Sequence, residues 1–278
     1  DYAMVRSAWI FATLHPYIIM TSGTLIAFII IALLGAGWKL FFQSDQLPPT
    51  PFPASWKAIL NNKVRYYKNL PAGEQPRFEQ AVLQFFEDVD ITGVETELSD
   101  TDRLLVAASA TIPLFGFPGW RYHNLNEVLL YENTFNHDYQ TEGDERNILG
   151  MVGTGAMQRM MILSKRALHQ GCDDQRSKSN VGIHEFVHLL DKADGETDGI
   201  PEILMESPYI IPWLKEMHEE INDIKDRDSD INPYGATNQA EFLSVAAEYF
   251  FSQPHLFERK HPDLFALMEK IFRQDLSG

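Results

Sequence analysis

The sequence predicts an α+β fold, and three observations favour it. Helical and strand-like patterns are mixed through the first two thirds of the chain, whereas the last third is almost entirely helical. That order is typical of α+β proteins rather than of doubly wound sheets. No internal repeat divides the 278 residues, and 45% of them are apolar, which is enough for a sizeable core. We therefore expect a small mixed sheet packed with helices.

The N-terminal part of the chain is apolar. Residues 7–38 contain no Asp, Glu, Lys or Arg. As a helix, the stretch from Tyr17 to Trp38 would span about 33 Å, close to the thickness of the hydrocarbon layer, with an aromatic residue at each end. We expect a transmembrane helix over about 17–38, within an N-terminal segment 1–42. The alternatives are a buried helix or a signal peptide, which would have a shorter apolar core and more positive charges before it than Arg6.

Charge predicts the location and excludes a class of partner. One basic residue precedes the apolar segment, and five follow it: Lys39, Lys57, Lys63, Arg65 and Lys68. The positive-inside rule then places the C-terminal domain in the cytoplasm, and we expect a single-pass protein of the bacterial inner membrane. The net charge of −16 argues against nucleic acid as a partner. A single cysteine, Cys172, excludes an intrachain disulfide.

The elements of the first half follow from caps, apolar stripes and turn residues. A proline-rich linker, 43–53, precedes a domain over 54–278. Helices are expected over 55–68, 77–89 and 102–115, and strands over 90–98, 127–132 and 156–165. Ser55 is the expected N-cap of the first helix, and Ser99 or Asp100 that of the third. Residues 136–155, rich in Gly, Asn and Asp, are typical of a loop.

The second half is predicted to be helical. Asn180 is well placed to begin a helix over 180–192, whose remaining residues are largely apolar. Three more helices are expected over 213–226, 240–251 and 262–275. The helix 240–251 is apolar almost all round, so we expect it to be buried.

Residues 184–188 spell H-E-x-x-H inside the first of these helices. His184 and His188 lie four residues apart, so both rings project from one face and can bind the same Zn²⁺ ion at about 2.0–2.1 Å. Glu185 can accept a proton from a water molecule that the ion makes acidic. The motif therefore predicts one Zn²⁺ ion as the cofactor and Glu185 as a general base.

A catalytic zinc site needs a third protein ligand, and two carboxylates are candidates. Asp194 lies six residues after His188, which is the spacing of the metzincin pattern, but that pattern has Gly where this chain has Asp191. Glu241 lies on the apolar helix 240–251, where a buried carboxylate needs a partner such as a metal ion. Glu241 would complete a two-histidine, one-glutamate site, and Asp194 remains the alternative.

Two further carboxylates are expected to support the ligands from outside. Asp191 lies three residues after His188 on the metal-facing side of the helix, where it can orient a ligand histidine. Glu248 lies seven residues after Glu241, on the same helical face, and is expected to be an outer partner.

Two blocks of the sequence resemble a known family. "HEFVHLLDKADGETDGIP" (184–201), followed by "YGATNQAEFLSVAAEYFF" (234–251), resembles the Mlc titration factor A family of zinc peptidases. The second block is also similar to the catalytic domain of anthrax lethal factor, with Tyr-Gly and then Glu-Phe at this spacing. "NEVLLYENTF" (126–135) is similar to the family's strand before the active site. The resemblance covers most of residues 55–275 and implies a zincin-like metallopeptidase domain.

The resemblance also implies roles and partners. By position, it makes His184, His188 and Glu241 the zinc ligands and Glu185 the general base. Tyr234, seven residues before Glu241, would donate a hydrogen bond to the tetrahedral oxyanion or the leaving amine. The family's activity is peptide hydrolysis, mainly aminopeptidase-like on small substrates. Its best-known partner is the transcriptional repressor Mlc, which implies a regulatory protein partner.

The leading prediction is a membrane-tethered zinc metallopeptidase that acts on a peptide or protein substrate. The alternative is a binding module with a zincin fold that sequesters a regulatory protein, with weak or no hydrolysis. An intact Glu185 favours the enzyme, since a pure binder needs no base there. We also expect the glycine-rich stretch 194–201 to shape one wall of the cleft, and the strand near Met157–Ser164 to offer its edge to the substrate backbone.

Overall fold

The computed structural model describes residues 51–136, 148–153, 155–174, 176–201 and 207–277. All of them belong to one compact unit, Pro51–Gly278. A small mixed sheet is packed with helices in this unit, so the predicted α+β fold is confirmed. The predicted segment 1–42 and the linker up to residue 50 lie outside the described residues.

The helices are numbered here in chain order among the described residues. They are α1 (Ala54–Lys63), α2 (Arg65–Asn69), α3 (Gln75–Asp88), α4 (Asp100–Leu114), α5 (Lys165–Asp173), α6 (Val181–Asp191), α7 (Ser207–Asp226), α8 (Gln239–Ser252), α9 (Pro254–Lys260) and α10 (Pro262–Phe272). Short 3-10 turns cover Gly155–Met157, Lys192–Asp194 and Pro233–Ala236.

The described helices contradict the predicted membrane location, which is therefore wrong. None of them is both long and apolar enough to cross a bilayer. The longest, α7, has 20 residues but carries Lys and Glu along its length, and such charges are costly in hydrocarbon. The apolar segment 17–38, from which the prediction came, lies outside the described residues.

The sheet has four described strands in the order β1, β2, β4, β3. These are β1 (Asp90–Val94), β2 (Glu127–Tyr131), β3 (Gly150–Val152) and β4 (Met160–Ser164). The first three in that order run parallel, and β3 pairs antiparallel with β4 at the end of the sheet. One face packs on the main core, and the other covers a small cluster that includes Tyr131, Phe135 and Ile162.

Several elements differ from the sequence-based expectation. The stretch 136–155 contains strand β3, which has only three residues and is therefore too short to show a clear apolar alternation. Helix α5 was missed because it buries only one side chain, Leu168, and so carries little apolar signal. Ser55 does not cap α1, which begins after Pro53. Ser99 does cap α4, and its side chain and that of Asp102 form a reciprocal capping box.

Helix α6 lies at the centre of the unit, between α4 and α8. Its approach to α4 depends on Gly182, since a Cβ atom there would lie 2.3 Å from Oγ of Ser109. One turn later on the same face of α6, Phe186 is fully buried against Phe85 and Tyr122, with ring centroids 5.7 and 5.2 Å away. This packing fixes the helix that carries the H-E-x-x-H motif.

Candidate metal centre

The two histidines of the motif are placed by the start of α6. Asn180 is the N-cap, and its side-chain oxygen accepts a hydrogen bond from the Ile183 N–H at 3.1 Å. One turn later, His184 and His188 project from the same face, with ring centroids 4.7 Å apart. The local sequence thus brings both rings to one point at the boundary of the core.

The third residue near the two histidines is Glu241 of α8, and a helix cap positions it in the same way. Asn238 is the N-cap, and its side-chain oxygen accepts from the Glu241 N–H at 2.9 Å. Glu241 therefore lies in the first turn of the helix, while the residues after it are buried. Helices α6 and α8 pack against each other, which carries the Glu241 carboxylate to the two histidines.

Three potential ligand atoms converge there. Nε2 of His184 lies 3.1 Å from Nε2 of His188 and 3.1 Å from Oε2 of Glu241, and His188 Nε2 lies 3.3 Å from the same carboxylate oxygen. Bonds of about 2.05 Å in a tetrahedral site place neighbouring ligand atoms about 3.3 Å apart. The triangle therefore has the size that a single tetrahedral metal ion requires, and these residues form a group that could hold one.

The charges around the triangle also fit a cation. The side chains of Glu185, Glu241 and Glu248 place three carboxyl groups beside two imidazoles in a largely buried position. Burial opposes ionisation of Glu241, but hydrogen bonds from His184 and His188 outweigh it and lower its pKa. Ionised carboxylates in a buried position need a compensating positive charge, which a divalent ion supplies.

Glu248 holds His184 from the side opposite to the triangle. Its Oε1 lies 2.7 Å from Nδ1 of His184, while its Oε2 accepts a hydrogen bond from the Asn180 N–H. Because Nδ1–H donates to Glu248, Nε2 is the ring nitrogen that would bind a metal ion, after it gives up the proton that it shares with Glu241.

The two aspartates of this region are not among the residues whose ligand atoms converge at the triangle. Oδ2 of Asp191 accepts a hydrogen bond from the Gly199 N–H at 3.0 Å, and Oδ1 has no partner among the described residues. Asp191 thus anchors the glycine-rich stretch, and no hydrogen bond joins it to His188 within the described part of the chain. Asp194 is exposed on a 3-10 turn, where it accepts from the Glu196 N–H.

Gly199 itself is fixed against α8. Its φ is +77°, and a Cβ atom would lie 2.4 Å from the carbonyl oxygen of Gln239 at the start of that helix. Its own carbonyl accepts a hydrogen bond from Nε1 of Trp213 at 2.7 Å. The stretch 194–201 therefore lies beside the first turn of the helix that carries Glu241.

Glu185 is buried beside the triangle and faces the sheet. It is 6% exposed, and its side chain lies against Gly150 of β3, where a Cβ atom would come within 2.6 Å of Cγ of Glu185. Burial raises the pKa of Glu185, and the charges of His184 and His188 act in the opposite direction. Gly150 was not among the predicted site residues, because the sequence predicted a loop where β3 runs.

Tyr234 lies at the open side of the site. It is 53% exposed, its ring centroid is 6.0 Å from that of His184, and its N–H donates to the side chain of Asn232. Burial, the charge of Glu241 and a hydrogen bond with Glu241 raise the pKa of its hydroxyl. The hydroxyl is thus a protonated donor at neutral pH.

Among the described strands, β3 lies at one edge of the sheet and β1 at the other, so the strand near Met157–Ser164 is not the edge that the sequence suggested. Strand β4 lies between β2 and β3, so both of its edges are paired. In the antiparallel ladder, Ser164 N–H donates to the Leu149 carbonyl and Gly153 N–H to the Met160 carbonyl. Because hydrogen-bonded pairs alternate, the backbone groups of Gly150 and Val152 point away from β4.

Comparisons with known proteins indicate the family of this chain. A protein of Synechocystis described as uncharacterised is 25% identical over 260 residues, which cover 90% of this chain and 94% of that protein. Mlc titration factor A of Salmonella arizonae is 30% identical over 228 residues, 75% of this chain and 87% of its own. The same-named protein of Pectobacterium atrosepticum is 29% identical over 197 residues, 65% and 71% of the two chains.

The family model described as glucose-regulated metallo-peptidase M90 matches residues 39–273, which include all the residues of the triangle. The predicted resemblance to the Mlc titration factor A proteins is thereby confirmed. This chain belongs to the M90 family of metallo-peptidases.

Proposed function

We propose that this chain is a zinc-dependent peptidase with His184, His188 and Glu241 as the metal ligands. The observation that carries the proposal is the triangle of Nε2, Nε2 and Oε2 atoms with edges of 3.1–3.3 Å. Two imidazoles and one carboxylate are a common ligand set of catalytic zinc, and three protein ligands leave a fourth position open. Membership of a metallo-peptidase family supports the same function.

Glu185 is the general base of this proposal. Bound zinc would supply a Lewis acid that polarises a peptide carbonyl and acidifies a water molecule. Glu185 takes the proton of the attacking water and returns it to the leaving amine. Burial raises the pKa of Glu185, which makes its carboxylate a stronger base than an exposed one.

Tyr234 and Glu248 have supporting roles. The Tyr234 hydroxyl, held in its protonated form, donates a hydrogen bond to the oxyanion that develops on the substrate. Glu248 keeps the Nδ1 proton of His184 in place, so that Nε2 remains the free ligand atom. For Asp191 we propose a role other than the one expected. Its carboxylate holds the wall 194–201 in place through the Gly199 N–H.

An extended peptide substrate would pair with β3. Gly150 and Val152 point their N–H and C=O groups away from β4, and β3 lies beside α6. A substrate strand added at this edge would pass next to Glu185. Blocking this edge by Val152→Pro, which removes one backbone donor, should raise KM for peptides with little loss of metal.

The test combines metal analysis with peptide hydrolysis in four proteins. We expect the wild type to bind one zinc ion and to cleave members of a broad peptide panel. Glu185→Gln should keep zinc and lose turnover, whereas Glu241→Ala should lose both. Asp194→Ala is the matched control, because Asp194 is exposed and accepts a hydrogen bond from the Glu196 N–H of its own turn. Loss of zinc in Asp194→Ala with retention in Glu241→Ala would sink the ligand assignment.

The aminopeptidase preference implied by the resemblance is part of the proposal. It is tested by comparing alanine p-nitroanilide with its N-acetylated form and with internally quenched longer peptides. Faster cleavage of the free amine supports an exopeptidase, and cleavage of the quenched peptides at internal bonds supports an endopeptidase.

A second candidate function is suggested by the relatives' name, Mlc titration factor A. In this alternative the chain binds a regulatory protein and hydrolyses little or nothing. Glu185→Gln separates the two functions, because binding would survive the loss of the base. A zinc-loaded wild type that cleaves nothing on a broad panel but forms a stable complex with a repressor would favour the binding module.

A further inference from the structure

Gly150 of β3 leaves no space for a side chain. A Cβ atom built at this position would lie 2.6 Å from Cγ, 2.7 Å from Oε1 and 2.9 Å from Cδ of Glu185. Non-bonded atoms at such distances repel strongly, since their optimal separation is about 3.5–4.0 Å. Gly150 is not among the residues with positive φ, so its backbone conformation does not demand glycine. The three atoms nearest to the added Cβ all belong to the Glu185 side chain, so the demand comes from that side chain.

The backbones of β3 and α6 are both held in place, so neither can shift to make room for a side chain at position 150. Strand β3 is held to β4 by hydrogen bonds at both ends, from Ser164 N–H to the Leu149 carbonyl and from Gly153 N–H to the Met160 carbonyl, each 2.8 Å long. Helix α6 is buried on most of its surface. A Cβ atom at position 150 would therefore displace the Glu185 carboxyl group rather than move the strand or the helix.

We propose that Gly150 is a positioning residue for Glu185. Because Gly150 has no side chain, the Glu185 carboxyl group can lie against the edge strand β3 and beside the proposed metal ligands. The expected loss of turnover in a Gly150 variant rests on the proposed function. The steric relation itself can be tested without any substrate.

The substrate-free test is a thermal-unfolding cycle. Gly150→Ala should lower the Tm of the wild type, because the added methyl group meets Glu185. In a Glu185→Ala background that collision is absent, and Gly150→Ala should leave the Tm unchanged or raise it by restricting the unfolded chain. Equal losses of Tm in both backgrounds would overturn the proposal. If Gly150→Ala alone does not fold, the double variant must still fold, and its failure to do so would also overturn it.

The second arm measures turnover with zinc content. Gly150→Ala should retain wild-type zinc and a similar KM, while kcat falls about 100-fold, the loss typical of a catalytic group misplaced by about 1 Å. Gly73→Ala is the matched control, since a Cβ atom there meets nothing within 4 Å. An unchanged kcat in Gly150→Ala would contradict the positioning role. A wild type that cleaves no peptide would refute the proposed function instead, and the unfolding cycle would then decide on Gly150 by itself.

Discussion

Nδ1 of His184 lies 2.7 Å from Oε1 of Glu248, and this contact joins the helix of the H-E-x-x-H motif to the helix that carries Glu241. The same carboxylate accepts from the Asn180 N–H at the start of α6. One buried side chain thus fixes both the tautomer of a ligand histidine and the end of its helix.

Replacing this carboxylate should weaken metal binding. Glu248→Gln keeps the size of the side chain but removes the charge and turns one acceptor into a donor, which must face either the Asn180 N–H or the His184 Nδ1–H. We expect zinc affinity to fall about 10- to 100-fold, the usual effect of losing such an outer partner. Competition with a chromogenic chelator measures the change. Glu219→Gln, at an exposed position of α7, is the control, and equal affinities in the two variants would contradict the role.

Tyr234→Phe should affect turnover without affecting the fold. The ring is half exposed, and the variant removes only the hydroxyl group. If this hydroxyl stabilises the oxyanion, kcat should fall about 10²- to 10³-fold while zinc content and Tm stay at wild-type values. Steady-state kinetics with atomic absorption would show this. A variant with wild-type kcat would remove Tyr234 from the mechanism.

A buried histidine far from the triangle should make stability depend on pH. His261 lies 2.8 Å from Glu220 through Nδ1 and 2.8 Å from Asp230 through Nε2, and Asp230 also pairs with Lys178 and Tyr249. Burial lowers the pKa of His261, but the two carboxylates outweigh it and raise the pKa above 6.5. Burial likewise opposes ionisation of Asp230, yet Lys178 and His261 lower its pKa to about 2.

The direction of each effect on stability follows from these two pKa shifts. The His261 contribution is fully present below its unfolded pKa of 6.5 and is lost as the pH rises through the folded value. The Asp230 contribution is fully present above its unfolded pKa of 3.8 and is lost as the pH falls towards 2. The destabilisation caused by His261→Gln should therefore be greatest between pH 3.8 and 6.5. Urea unfolding across pH would show this, and a pH-independent difference would contradict it.

Gly182→Ala should destabilise the contact between α4 and α6. The new methyl group would meet Oγ and Cβ of Ser109 at 2.3 and 2.7 Å. Overpacking of this kind costs about 1–3 kcal/mol, which urea unfolding can resolve. Ser109→Gly should restore part of the loss in the double variant, and a loss that is the same with and without Ser109 would show that the contact is not responsible.

Much of this arrangement could be predicted from local sequence. The caps Asn180 and Ser99, the apolar stripes of α6 and α8 and the spacing of His184 and His188 are all readable along the chain, because each depends on neighbours within two turns. The α+β class and the family followed from the same signals. The metal group of the structure contains Glu241, the candidate that burial and resemblance had favoured.

The parts that could not be predicted depend on distant pairs. Asp191 is on the expected side of α6, but its partner is Gly199, which a turn brings back to it. Gly150 has no local signal, since its requirement arises from Glu185, 35 residues later in the sequence. Which strand lies at the edge depends on the order of the sheet, and that order cannot be read from the strands one at a time.

The ligand triangle has a mechanical consequence. Its members His188 and Glu241 are 53 residues apart in the chain, and they stand on two helices whose own starts are secured separately by Asn180 and Asn238. An ion held by both helices would close this long loop as a covalent cross-link does, and the entropy removed from the unfolded chain grows with loop length. Ion occupancy and resistance to unfolding should then rise together, so that metal supply also governs how long the folded chain survives proteolysis.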